Sequence, residues 1–169
     1  AREGIEDAAF QYVCEPKVDG LAISIVYRDG VLERGATRGN GEVGEDVTHN
    51  LRTIPSVPLS IEDAPPMIEV RGEVYMSLDG FQQLNERRAS DGKPTFMNPR
   101  NAAAGTLRQL DPRLAAERPL SLWAYGVGAC EGVSFSSQWQ TLEWLRERGF
   151  PVNSEIERLD SEQAAIERC

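Results

Sequence analysis

The stretch Met67 to Met76, MIEVRGEVYM, constrains the fold of this chain more than any other part of its sequence. Its apolar residues Ile68, Val70, Val74 and Met76 share one parity, whereas Glu69, Arg71, Glu73 and Tyr75 share the other. Side chains alternate across a strand, so the pattern calls for a half-buried strand with its apolar side on a core. Any fold built on it must cover one face and leave the other polar.

The neighbouring sequence supplies partners for that strand. Phe10 to Cys14, Leu21 to Tyr27 and Val31 to Ala36 read as strands, and Asp29-Gly30 between the last two is a hairpin signal. A short helix is expected at Val47 to Thr53. Another, capped by Ser77, is expected at Leu78 to Ala89, and a third, after Pro99, at Asn101 to Leu110. Leu120 to Val127 returns to strand. Ser137 with Gln140, and Asp160 with Gln163, have the spacing of capping boxes for helices running to Arg148 and Cys169. Hairpin strands with intervening helices predict an α+β fold of antiparallel sheets and packed helices. No βαβ unit with a GxGxxG turn is present to make a Rossmann site.

A length of 169 residues with 40% hydrophobic content suits a single compact domain. No run of eighteen apolar residues and no signal peptide is written here, so no membrane partner and a cytoplasmic location are expected. Cys14, Cys130 and Cys169 are widely spaced without a CxxC pair, which predicts free thiols and neither a disulfide framework nor a zinc site. His49, the single histidine, has no partner constellation and reads as solvated. The net charge of -9, from 27 acidic against 18 basic residues, opposes long-range attraction to nucleic acid. Any contact with DNA must be local.

Candidate chemistry concentrates in three segments. In Cys14-Glu15-Pro16-Lys17-Val18-Asp19-Gly20 an extended backbone puts Glu15, Lys17 and Asp19 on one face. A lysine between two carboxylates is held as a cation, and to act as a nucleophile it needs a metal ion or a further cation nearby. Arg38 and Arg71 are candidates for that role. A surface ion-pair cluster is the plain alternative. Thr37 to Asp46 holds Gly39, Gly41 and Gly44, which permit close backbone approach to a ribose or phosphate beside Arg38, although an ordinary hairpin connection reads equally well. It lacks the GxxxxGK(S/T) pattern of a P-loop. In Asn98 to Arg108, Ala102, Ala103, Ala104 and Gly105 make a thin helix surface suited to close packing. Arg100 and Arg108 are candidates for forked contact with phosphate, with a close-packed core helix that binds none as the plain alternative.

These segments carry a resemblance. Glu15-Pro16-Lys17-Val18-Asp19-Gly20 resembles the KxDG motif of covalent nucleotidyltransferases. The blocks Ala36 to Asp46, Glu69 to Val74 and Asn98 to Pro112 follow in the order and wording of bacterial NAD-dependent DNA ligases. The resemblance covers essentially the whole chain and is faintest beyond Gly132.

The resemblance implies a partial adenylation (nucleotidyltransferase) domain over residues 1–169, C-terminally incomplete. In it Lys17 would attack the adenylyl phosphate of NAD and release nicotinamide mononucleotide. In the full enzyme the AMP would pass to the 5′-phosphate of nicked duplex DNA before the strand is sealed. It places Glu15 beside the adenine, Arg38 on the nucleotide, and Asp19 and Glu73 in support of nucleotide and nucleophile. Arg100 and Arg108 match arginines associated with the nucleotide phosphate and the nick. Magnesium is expected to be met through phosphate and water rather than a protein cage, and zinc only in other parts of the full enzyme. A monomer is expected. Neither a DGxVxK-like segment after Gly132 nor the region gripping the nicotinamide half is found, so this chain alone is expected to be nearly inert. An inert nucleotide-binding fragment and an ATP-dependent nucleotidyltransferase are the alternatives.

Overall fold

The computed structural model describes residues 11–39, 41 and 43–168. In chain order the elements are β1 (Tyr12–Cys14), β2 (Leu21–Arg28), β3 (Val31–Thr37), α1 (Thr48–Leu51), β4 (Met67–Met76), α2 (Leu78–Ser90), α3 (Pro99–Leu107), α4 (Pro112–Ala116), β5 (Leu120–Cys130), α5 (Gln138–Glu147), β6 (Glu157–Leu159) and α6 (Glu162–Arg168). Contacts divide the chain into a larger unit, Val18 to Val152, and a smaller one made of the chain up to Lys17 and from Asn153 onward.

The larger unit is built on an antiparallel sheet in the order β3-β2-β4-β5. Asp29 and Gly30 turn β2 into β3 with φ of 48° and 77°, the doubly positive geometry of a tight hairpin turn. A Cβ on Gly30 would lie 2.6 Å from the Ile61 carbonyl oxygen, so this position needs glycine for space as well as for its dihedral. The open edge of β3 is partly covered by the proline-punctuated segment, with Leu32 N–H donating to Leu59 O and Val31 bridging to Ser60.

The alternation that predicts β4 is realised at every position: Ile68, Val70, Val74 and Met76 are buried, and Glu69, Arg71, Glu73 and Tyr75 point the other way. Ile23, Ile25 and Tyr27 of β2 and Leu122 and Ala124 of β5 join the buried set. Helix α3 packs on β4 and β2, and α1 on β3. Ala102 and Ala103 are fully buried, so the alanines of α3 do allow close approach. Gly35 gives Leu51 its place, since a Cβ there would come within 2.1 Å of Leu51 Cδ1. Burial pushes the phenol of Tyr27 up; it donates to Pro58 O at 2.7 Å and meets Phe150 edge-on at 5.4 Å.

Helix boundaries differ from sequence expectation where capping is concerned. Helix α3 starts at Pro99 because Asn98 is its cap, accepting from Asn101 N–H at 2.7 Å with proline at the first helical position. It stops at Leu107, and Asp111-Pro112 repeats the cap-and-proline device to start α4, which the sequence reading does not separate. Ser137 caps α5, but Gln140 Oε1 accepts from Ser136 instead of returning to Ser137. Strand β5 runs three residues past Val127. The helix α1 is four residues long, shorter than expected at both ends.

In the smaller unit β1 pairs antiparallel with β6, and Arg168 of α6 meets Glu157 at 3.1 Å. Ser161, not Asp160, caps α6 by accepting from Ala164 N–H. The expected inclusion of Phe10 in β1 and of Cys169 in α6 lies outside the described residues. No helix of the described residues is long and apolar enough to cross a membrane.

Leu51 fills the notch over Gly35 and is fully buried. Leu51→Ala is expected to destabilise the protein by about 2–5 kcal/mol, measured by urea unfolding, because neighbouring backbone cannot collapse into the space. A loss below about 1 kcal/mol would contradict this packing.

Candidate functional site

The polar face of the four-stranded sheet becomes a cleft because its floor is made of small side chains. Ala22 and Ser24 of β2 and Ala36 of β3 leave room that larger residues would fill, and the resulting cleft measures about 580 Å³. Arg34, Arg38, Glu69 and Arg71 supply charge around it and Tyr125 of β5 supplies a ring. Tyr75 and Trp123, whose rings stack 5.8 Å apart at 8°, continue this face.

Glu69 is the most restrained of these groups. Its Oε1 accepts from Ser24 Oγ at 2.9 Å and Arg71 Nε at 3.0 Å, and its Oε2 from Ala129 N–H at 3.2 Å. Burial alone would raise its proton affinity, but the Arg71 guanidinium, the Ala129 N–H and the Ser24 hydroxyl outweigh it and hold the carboxyl below the usual range. Gly128 makes room for this carboxylate, since a Cβ there would sit 2.4 Å from Glu69 Oε2 and push it off its partners. The fork of Arg71 is thereby aimed.

Tyr125 stands among the charges. Its phenol is pushed up first by burial and then by the Glu73 carboxylate, while Arg38 and Arg71 act in the opposite direction. Arg38, Arg71 and Glu73 therefore all lie within electrostatic reach of the ring. A flat ring in a charged cleft offers a stacking surface to a base and cations to its phosphates.

Arg38 is carried by a loop that folds back tightly on itself. Its N–H donates to Ala22 O at 2.9 Å, and Gly41 N–H closes a turn on Arg38 O at 3.0 Å. Gly39, with φ of 54°, would clash through a Cβ with Val43 O, and Gly44 with Thr37 O, both at 1.8 Å. Two of the three glycines are thus demanded by backbone packed on backbone.

Gly20 is buried and brings the start of β2 onto β4: a Cβ would lie 2.3 Å from Val74 O and 2.9 Å from Glu73 Cγ. Asp19, just before it, accepts from Arg100 Nη1 at 3.1 Å. Arg108 Nε donates to Glu45 Oε2 in the glycine loop. Both pairs are exposed, and exposed pairs contribute about 0–1 kcal/mol, so what they fix is direction rather than stability.

Of the residues selected from sequence, the larger unit gathers Arg38 and Glu73 around Tyr125 and ties Asp19 to Arg100. Arg108 is held at the glycine loop. Glu15, half-buried, and Lys17, exposed, belong to the smaller unit. His49 is exposed, and Cys14 and Cys130 are half-buried. Sequence reasoning does not select Tyr125, Glu69 or Ser24 as site residues. The parity of β5 could have found Tyr125, because Leu122 and Ala124 face the core and the ring must face away. Among the described residues no three His, Cys, Asp or Glu side chains are grouped to hold a metal ion.

Comparison with known proteins gives this geometry a family. A model of the NAD-dependent DNA ligase adenylation domain matches residues 2–169. A protein named DNA ligase from Chloroflexus aurantiacus is 54% identical over 175 residues, covering 96% of this chain and 25% of that protein. DNA ligases from Herpetosiphon aurantiacus and Desulforudis audaxviator are 51% and 52% identical, covering 100% and 99% of this chain. The chain spans about a quarter of the length of the curated relatives it matches. The chain belongs to the NAD-dependent DNA ligase adenylation domain family.

Proposed function

We propose that this chain carries the adenylyl-transfer site of an NAD-dependent DNA ligase, both of its units being parts of one adenylation domain, with Lys17 as the nucleophile. The amine of Lys17 attacks the α-phosphorus of NAD, forming a P–N bond as the P–O bond to nicotinamide mononucleotide breaks. The AMP then passes to the 5′-phosphate of nicked duplex DNA, and attack by the 3′-hydroxyl seals the strand and releases AMP. The observation that carries this reading is the cleft on the polar sheet face, with Tyr125 among Arg38, Arg71 and Glu73, in a chain of this family.

The remaining roles follow from chemistry and from the motif. Tyr125 stacks on the adenine over the floor of Ala22, Ser24 and Ala36, Glu15 flanks the base, and Arg38 meets the nucleotide. Asp19 and Glu73 orient the nucleotide and the amine. Gly20 supports this, because it presses the end of the motif against the Glu73 side chain. Each residue of chain spans at most about 3.6 Å, so covalent connection alone keeps the Lys17 Cα within roughly 11 Å of Gly20. Arg100 and Arg108 bind phosphate, of the nucleotide or of the nick. Magnesium, which keeps several waters and is usually met through substrate phosphates, would be held chiefly by phosphate and water.

In the intact protein carrying this chain, incubation with NAD and magnesium is expected to give an AMP adduct by mass spectrometry, and ATP is expected to give none. Lys17→Arg keeps the charge but cannot surrender the proton to become a nucleophile, so its adduct should fall to background. An undiminished adduct in that variant rejects Lys17 as the carrier. Tyr125→Ala is expected to weaken NAD binding by about 1–3 kcal/mol, seen as a raised KM in adduct formation, while Tyr125→Phe retains affinity. An unchanged KM for Tyr125→Ala removes the ring from the adenine site.

A further inference from the structure

Asn50 is buried in α1, yet its side chain reaches across to the end of α3. Its Nδ2 donates to Leu107 O at 2.6 Å and to Gln109 O at 2.8 Å, the carbonyls on either side of Arg108. Both partners are acceptors only, which fixes the orientation of the amide; its Oδ1 is buried with no partner among the described residues. One side chain thus clamps the backbone that carries Arg108. That an acceptor is left unpaired to do so is a cost that packing alone does not explain.

The guanidinium is held from the same side of the fold. Arg108 donates through Nε to Glu45, and Glu45 is latched to the end of β3 through its backbone: Glu45 N–H donates to Thr37 Oγ1 at 3.0 Å, and Thr37 N–H donates to Glu45 O at 2.9 Å. Thr37 is buried. The terminal nitrogens of Arg108 make no hydrogen bond within the described residues, and about half of the side chain is exposed. A guanidinium engaged only at Nε keeps a two-pronged edge for an incoming phosphate.

We infer that Asn50 and Glu45 are positioning residues for Arg108, the first fixing its backbone and the second its guanidinium, so that its terminal fork is presented to a phosphate of nicked DNA. The inference rests on the ligase reading above and extends it to two residues outside the motif chemistry of Lys17, Asp19 and Glu73. The carboxylate is exposed and replaceable, so its part is to aim the side chain; the buried amide sets where the side chain starts.

The test is a double-mutant cycle in the intact protein, reading the sealing of a pre-adenylylated nick and, separately, enzyme-AMP formation from NAD. Asn50→Ala is expected to slow sealing roughly ten- to a hundredfold by misplacing the contact, and Glu45→Ala, which removes only an exposed pair, roughly three- to fivefold, with the AMP adduct still formed in both. In an Arg108→Ala background neither is expected to cost more than about twofold further, because a residue that acts through Arg108 has nothing left to position. Losses that multiply in the double variants, or single variants that seal like the unaltered protein, overturn the inference while leaving the ligase reading intact. Should Asn50→Ala fail to fold by its unfolding midpoint, the Glu45 cycle decides alone, since that side chain is exposed. An unaltered protein that forms no adduct and seals no nick removes the ligase reading, and the positioning inference falls with it.

Discussion

Strand β4 lies between β2 and β5, so both of its edges are committed to backbone hydrogen bonds and its side chains can project in only two directions. One direction is occupied by Ile68, Val70, Val74 and Met76, which the helices cover; the other must therefore take Glu69, Arg71, Glu73 and Tyr75. A slip of one residue would send four charged or polar groups into the core and four apolar groups into solvent, at a cost far beyond the stability of a small domain. The cleft depends on this register. The same alternation that builds the core assembles the charges that a nucleotide would meet.

What converts a polar sheet face into a shaped site is the placement of residues with little or no side chain. Gly20 lets the end of the lysine motif press on Glu73 and Val74, Gly128 makes room for the Glu69 carboxylate, and Gly39 and Gly44 let the loop bearing Arg38 pack on its own backbone. Small floor residues Ala22, Ser24 and Ala36 do the rest. These positions carry no chemistry themselves, but a Cβ at any of the four glycines would displace backbone or a restrained carboxylate. The geometry of the charged groups is in this sense set by the residues between them.

Much of the fold was legible because periodicity and capping are local. The alternation of β4, the Asp29-Gly30 turn and the Ser77 cap each need only a few neighbouring residues to be read, and each is present as expected. Boundaries that depend on distant partners were not legible: α3 ends where Asn50, more than fifty residues away in sequence, takes the carbonyls around Arg108. The same holds for the site. Arg38 and Glu73 could be named from their motifs, whereas the hydrogen-bond network of Ser24, Glu69, Arg71 and Ala129 joins three strands and leaves no sequence pattern. Tyr125 lay between these cases, readable from parity as outward-facing but not as a wall of the cleft.

The central claim is that the adenosine of the transferred nucleotide lies on the polar face of the four-stranded sheet. The most direct measurement is a crystal structure of the intact protein after reaction with NAD, with the AMP adduct in place. The account predicts the adenine against Tyr125 over Ser24 and Ala36, with Arg38 at the nucleotide. Adenosine bound away from these strands, with the cleft between Arg38, Arg71 and Tyr125 left to solvent, would contradict it.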